Sequence, residues 1–232
     1  MPRTRIKICG IKDHDTARIA ALAGADAIGL VFVEKSPRFI DIPTARRIVR
    51  SLPSFVEPVG LFVDEEPAHI RRVAGQVGLH TVQLHGHETL QHLAALDDFN
   101  IIKALSFHKD QIDTSLESWI DLPHHLKSFL WDAAPSATNQ GLLGGTGNQI
   151  NWHDFAELQQ SGKLDLHPPS FLAGGLTPTN VGQAIAIAHP YGVDVSSGVE
   201  SSRGIKDHDL IQQFCAAVHE ADTRPLTGDA AG

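Results

Sequence analysis

The chain has 232 residues, 42% of them hydrophobic and 20% charged, with a formal net charge of −8. That size holds either one α/β barrel or two smaller domains, and the composition excludes a disordered, collagen-like or membrane-embedded chain. Net acidity without a block of Lys and Arg leaves no footprint for nucleic acid or an anionic membrane, so neither partner is expected and an anionic small molecule would be held by local cations.

The elements are read in chain order from short apolar runs alternating with segments of helical period. Strands are predicted at Arg5 to Cys9, Ala27 to Val33, Pro58 to Val63, Thr81 to Leu84, Ile101 to Leu105, Ser128 to Asp132, Ser170 to Ala173 and Gly192 to Ser196. Runs such as Ile28 to Val33 are apolar throughout, as suits strands buried on both faces. Helices are predicted at Asp13 to Ala23, Thr44 to Leu52, Pro67 to Val77, Glu88 to Leu96, Thr179 to Ala188 and Asp207 to Ala221, with a weakly periodic one between Asp110 and Asp121. Eight β-then-α units with no leftover strand favour a closed α/β barrel over an open doubly wound sheet. The barrel is expected over residues 1–221, and the apolar-poor stretch 222–232 is expected to be a flexible tail. The hexapeptide Gly-Ile-Lys-Asp-His-Asp occurs at Gly10 to Asp15 and again at Gly204 to Asp209. Both copies stand where an Asp would cap a helix.

Two cysteines, Cys9 and Cys215, stand far apart and outside any Cys-x-x-Cys spacing, which fits a reducing compartment. The basic residues before Cys9 run directly into a strand with no signal-peptide pattern, and no stretch approaches the roughly 20 apolar residues of a membrane span. A cytoplasmic protein is expected.

A parallel barrel delivers every strand's carboxyl end to one face, so polar residues at strand ends are the candidates for chemistry. They are Cys9, Ser36-Pro37-Arg38, His85, Lys103, Asp132, the Gly144-Gly145-Thr146-Gly147 loop, Gly174-Gly175, Asp194 and Ser196-Ser197-Gly198. Cys9 precedes a helix start that would favour its thiolate, making it a base or nucleophile, or else a buried small hydrophobe. Asp132 follows Phe129-Leu130-Trp131, where desolvation would suit a general acid, though a capping Asp fits as well. Gly174-Gly175 and Ser197-Gly198 follow the last two strands, where bare amides and a short helix start can hold phosphate. The 14 histidines form no zinc spacing, since His85-Gly86-His87 and His124-His125 each lack a third ligand. No metal is expected.

Taken together, Lys7 to Ile11, Gly29 to Phe32 leading to Ser36-Pro37-Arg38, Val59 to Val63, Val82 to Gly86, Gly144 to Gly147 with Trp152, Leu172 to Leu176 and Gly192 to Glu200, ending with Gly204, Lys206 and Asp207, resemble the phosphoribosylanthranilate isomerase family. The resemblance spans residues 7–207 and implies a single (β/α)8 TIM barrel, a cofactor-free isomerase of tryptophan biosynthesis. It implies Cys9 as general base and Asp132 as general acid in the Amadori rearrangement of N-(5-phosphoribosyl)anthranilate. It also implies Arg38 facing the anthranilate carboxylate, His85 and Asp194 beside the substrate, Gly174, Gly175, Ser197 and Gly198 on phosphate, and Gly144 to Gly147 closing over the ligand. The sequence departs from the family pattern at Trp131 and at Ile150-Asn151, beside the acid and in its loop. Rival readings are an indoleglycerol phosphate synthase, which Lys103 would serve as catalytic lysine, a histidine-pathway isomerase with paired Asp residues, and a non-catalytic phosphate-binding barrel. Oligomeric state is left open.

Overall fold

The computed structural model describes residues 3–119, 122–133 and 149–223. Eight parallel strands close into a barrel in sequence order: β1 (Arg5–Cys9), β2 (Ala27–Val31), β3 (Glu57–Phe62), β4 (Thr81–Leu84), β5 (Asn100–Phe107), β6 (Leu126–Ala133), β7 (Ser170–Leu172) and β8 (Gly192–Val195). Closure is made by β1 on β8, where Lys7 stands opposite Asp194. The surrounding helices are α1 (His14–Leu22), α2 (Ile42–Ser51), α3 (Pro67–Val77), α4 (Leu90–Ala94), α5 (Ile112–Glu117), α6 (Trp152–Gln160), α7 (Val181–Ala188) and α8 (His208–Thr223). Among the described residues no helix is long and apolar enough to cross a membrane.

The period-two alternation of the strands divides the core into two layers. Ile6, Ile8, Phe129, Trp131, Val193 and Val195 point outward and pack with the helices in one cluster. The inner face carries a second cluster of Val59, Ile102, Ala104, Leu130, Phe171 and Ala173, and above it Cys9, Val31 and Leu61. Trp131 is therefore turned away from the mouth, donating Nε1–H to Ser170 Oγ at 3.1 Å, and its departure from the family pattern is absorbed by outer packing. At the other departure, Asn151 accepts from the His153 amide at 3.1 Å and caps α6, as an Asp would.

All eight predicted strands form, and the differences lie at the ends. β5 and β6 are longer than predicted and pair with one another over seven positions, from Ile101 with Leu126 to Phe107 with Ala133. Lys103 therefore sits inside β5, not at its end. α4 begins only at Leu90, because the Glu88 carboxylate accepts from the Asp64 and Gly86 amides at 2.9 Å each and from Lys103 at 2.7 Å. The weak fifth helix is a single 3-10 turn, Lys109–Gln111, followed by α5. α6 and a small antiparallel hairpin of β9 (Glu200–Ser202) and β10 (Ile205–Lys206) were not anticipated. α8 runs to Thr223, and the Asp222 carboxylate accepts from the Thr4 amide and hydroxyl at 2.9 and 2.6 Å. Residues 224–232 of the expected tail lie outside the described residues.

Lys7 and Asp194 form an ion pair at 2.6 Å inside the barrel, with the Lys7 side chain 1% exposed and that of Asp194 10%. Burial pulls the Lys7 ammonium down, but Asp194 and the neighbouring Cys9 outweigh it and leave its pKa raised. Lys7→Met would strand the carboxylate in a desolvated site, and breaking a buried pair in this way costs about 3–5 kcal/mol. Urea unfolding at neutral pH should show that loss, and an unchanged midpoint would contradict it.

Candidate active site

Among the described candidates, Asp132 and Asp194 meet both glycine loops in one recess, His85 and Lys103 meet Asp132 around a larger cavity, and Cys9 and Arg38 line neither. Asp132, Gly174, Gly175, Asp194, Ser197 and Gly198 line one recess, together with Ala173, Leu176, Val195 and Ser196. Gly174 and Gly175 have φ of 81° and 62°, a backbone that a side chain would strain, and they turn the chain out of β7. Their loop is held by Asn180, which donates to the Gly175 carbonyl at 2.9 Å and accepts from the Thr177 amide at 2.7 Å. On the facing side a single 3-10 turn, Ser197–Val199, follows β8. A Cβ on Gly198 would run into the Leu176 carbonyl oxygen, so only glycine lets these two loops meet. The result is a small polar recess walled by backbone, suited to a compact anion.

On its other side Asp132 borders a larger cavity of about 700 Å3 that also takes in His85, Leu90, Ala104, Leu105 and Trp119. Asp132 thus stands between a small polar recess and a roomy, more apolar one. Its Oδ1 accepts from the Ala133 amide at 2.8 Å, and its Oδ2 lies 3.4 Å from His85 Nε2.

Cys9 ends β1, 4% exposed, on the same face as Lys7 two residues below it. Gly29 stands opposite in β2, and a Cβ there would come within 2.6 Å of the thiol sulfur, so glycine makes the space that Cys9 occupies. The sequence suggested a favoured thiolate, and the structure corrects this. Burial pushes the Cys9 thiol up, Asp194 adds to that push, and the cations Lys7, Lys206 and Arg38 only partly oppose it. Cys215 lies at 0% exposure on α8 and burial, helped by Asp26, pushes it up to about 12. Because only thiolate alkylates, Cys9 should react slowly with iodoacetamide and gain about tenfold in rate per pH unit from about pH 7 to 9, while Cys215 stays unlabelled. Peptide mapping of the labelled protein reads this, and a Cys9 rate that levels off below about pH 8 would contradict the raised value.

Arg38 leaves the β2–α2 connection and is 8% exposed. Its Nε and Nη2 donate to the two oxygens of Glu200 at 2.7 and 3.0 Å, a bidentate fork that leaves Nη1 for other partners. Glu200 also accepts from Lys206 Nζ at 2.9 Å and from the Gly204 amide at 3.0 Å. Burial would raise its carboxyl, but the Arg38 and Lys206 partners prevail and hold it at about 2. Burial lowers Lys206 in turn, against Glu200. The two copies of the hexapeptide grip this loop from both sides. Gly10 (φ 84°) would press a Cβ to 2.7 Å from Arg38 Cδ, and Gly204 (φ 79°) would drive one into the Pro37 carbonyl oxygen. Asp13 and Asp207 cap the helices that follow, accepting from the Thr16 amide at 2.8 Å and the Leu210 amide at 3.0 Å.

Lys103 is not a free nucleophile. Its ammonium, 2% exposed, donates to the Leu84 and Gly86 carbonyls at 3.3 and 2.7 Å and to Glu88 at 2.7 Å, so its three hydrogens are taken. Burial lowers its pKa against the pull of Glu88, and the group serves as a strut under the β4–α4 loop. The glycine loop Gly144-Gly145-Thr146-Gly147 lies outside the described residues. Reasoning from the sequence missed Lys7, Gln83, Glu200 and Lys206 as functional neighbours. All four lay within matching motifs, but a polar side chain in a motif does not reveal its partner.

Comparison with known proteins gives the geometry its context. The family model described as N-(5'phosphoribosyl)anthranilate (PRA) isomerase matches residues 6–217. An N-(5'-phosphoribosyl)anthranilate isomerase of Acidithiobacillus ferrooxidans is 44% identical over 218 residues, covering 94% of this chain and 98% of that one. The crystal structure of phosphoribosyl anthranilate isomerase from Thermotoga maritima superposes with a TM-score of 0.81 at 37% identity, covering 94% of this chain and 99% of that one. A structure of such an isomerase in complex with reduced 1-(o-carboxyphenylamino)-1-deoxyribulose 5-phosphate matches with a TM-score of 0.78 at 35% identity, over 94% and 99% of the two chains. A match over nearly the whole barrel, at this identity and with the same fold, places the chain in the N-(5'-phosphoribosyl)anthranilate isomerase family.

Proposed function

We propose that the protein converts N-(5-phosphoribosyl)anthranilate to 1-(2-carboxyphenylamino)-1-deoxyribulose 5-phosphate, the isomerase step of tryptophan biosynthesis, with Asp132 as general acid and Cys9 as general base. The observation that supports the acid and the phosphate site is the recess in which Asp132 and Asp194 stand beside Gly174, Gly175, Ser197 and Gly198, while Cys9, outside its lining, is supported by its place at the end of β1. Phosphate on the amides of those loops sets the ribose across the mouth of the barrel. Arg38, fixed by Glu200, offers Nη1 to the anthranilate carboxylate.

The reaction begins with the proton of Asp132 passing to the furanose ring oxygen while the anilino nitrogen pushes its lone pair toward C1′. The C1′–O bond breaks and leaves an iminium ion. Its charge acidifies the C2′ proton, which Cys9 thiolate removes, and the C–H electrons form the C1′–C2′ double bond of a neutral enolamine. Ketonisation then places a proton on C1′. Three cations around Cys9 lower the energy of its thiolate, and the iminium adds a fourth positive charge at the moment the base is needed. Every step is a proton transfer, which needs neither a redox group nor a Lewis acid. We place the protein in the cytoplasm, working as one barrel domain on a small-molecule substrate.

The test is the decay of phosphoribosylanthranilate fluorescence, with the substrate generated in place and the purified protein treated with chelator. Decay in proportion to enzyme is expected. A rate equal to that of spontaneous breakdown would reject the assignment.

A further inference from the structure

Gln83 lies on the inner face of β4, fully buried, and its amide oxygen has no hydrogen-bond partner among the described residues. A buried amide satisfied at one end only is destabilising against an apolar side chain of the same shape, so packing does not account for a glutamine here. Its Nε2 donates to His85 Nδ1 at 2.9 Å. A neutral imidazole has one proton, and accepting at Nδ1 places that proton on Nε2. Nε2 is the atom that faces Asp132 Oδ2 at 3.4 Å.

We propose that Gln83 is a positioning residue that sets the tautomer of His85, and that His85 thereby presents an N–H to the Asp132 oxygen that loses its proton during ring opening. The inference rests on Asp132 being the general acid. In that step the Asp132 O–H bond breaks, the proton joins the ring oxygen, and the electron pair stays on Asp132 as carboxylate. His85 keeps its own proton throughout. It donates a hydrogen bond that becomes charge-assisted only as the negative charge develops, so it stabilises the transition state more than the resting acid. A contact of 3.4 Å before the reaction is consistent with that, since a protonated carboxyl makes little use of a donor and such bonds tighten in the transition state. The opposite tautomer would aim a lone pair at the forming carboxylate and oppose its release of the proton. Glutamine suits position 83 because its amide can donate to Nδ1, which a carboxylate or an apolar side chain cannot.

Gln83→Met keeps the length of the side chain and removes the donor. Loss of a charge-assisted bond predicts a fall in kcat of about 10- to 100-fold with KM little changed. Long-range nitrogen–proton spectra of the imidazole should show His85 in the wild type as the Nε2–H tautomer and in the variant as a mixture. A second variant, His85→Gln, sets an amide N–H near the place of Nε2 and has no tautomer to set. If Gln83 acts through His85, adding Gln83→Met to His85→Gln changes kcat by less than about threefold. An equal loss in both backgrounds, or a Gln83→Met protein with wild-type kcat and unaltered spectra, overturns the proposal. Wild-type protein without isomerase activity overturns the functional reading and this inference together, whereas active wild type with an inactive Asp132→Asn and an unaffected Gln83→Met overturns this inference alone.

Discussion

Asp132→Asn should lower kcat by on the order of 10²–10⁴ while leaving the fold and phosphate binding in place. The amide has the shape of the carboxyl group but no acidic proton, so the ring oxygen must take its proton from water, against a leaving group that is poorly basic until the C–O bond is already stretched. The substitution also leaves the recess wall standing, because Asp132 Oδ1 accepts a short-range bond from the Ala133 amide and an amide oxygen replaces it directly. The effect belongs in kcat, with affinity for ribose 5-phosphate retained. Steady-state kinetics alongside calorimetry of ribose 5-phosphate binding reads both, and near-wild-type turnover would remove Asp132 from the chemistry.

Cys9→Ala should lose a comparable factor, on the order of 10²–10⁴ in kcat, for a different reason. The thiol packs with Val31 and Leu61, and the space it fills exists because Gly29 lacks a Cβ, so the alanine leaves a small void and a modest loss of stability. The chemical loss comes at C2′, where the proposed base is gone. Exchange separates the two roles. In Cys9→Ala, solvent deuterium should no longer enter C2′ of recovered substrate even where ring opening persists, whereas in Asp132→Asn ring opening itself stalls. Wild-type turnover in Cys9→Ala would reject the thiol as base.

The eight strands were legible because parallel strands buried on both faces read as nearly unbroken apolar runs, as in Val193 and Val195 outward with Asp194 inward. Their ends were less clear. The register of β5 on β6 depends on pairing across the barrel, which no local pattern contains. α6 was missed because only Phe155, Ala156 and Leu158 are buried along it, a stripe too short to set a period. At the site, residues that end strands were readable from topology alone: Asp132, Asp194 and the two glycine loops share one recess, while Cys9 ends β1 outside the lining of that recess. Their states were not readable. The thiol's raised pKa follows from burial against three cations, one of them Lys206 from the far end of the chain. Lys7 finds its carboxylate 187 residues away and Arg38 finds its own 162 residues away, so sequence neighbours carried no sign of either pair. Lys103 misled for the same reason, since the Glu88 that occupies it approaches from the next loop.

A crystal structure of the protein with reduced 1-(o-carboxyphenylamino)-1-deoxyribulose 5-phosphate tests the placement of acid and base most directly. The account predicts the phosphoryl oxygens on the amides of Gly175 and Ser197–Gly198, with the Cys9 sulfur and the Asp132 carboxyl reaching the ligand's C1–C2 segment from opposite sides. A ligand seated elsewhere, or one that touches only one of those two side chains, would contradict it.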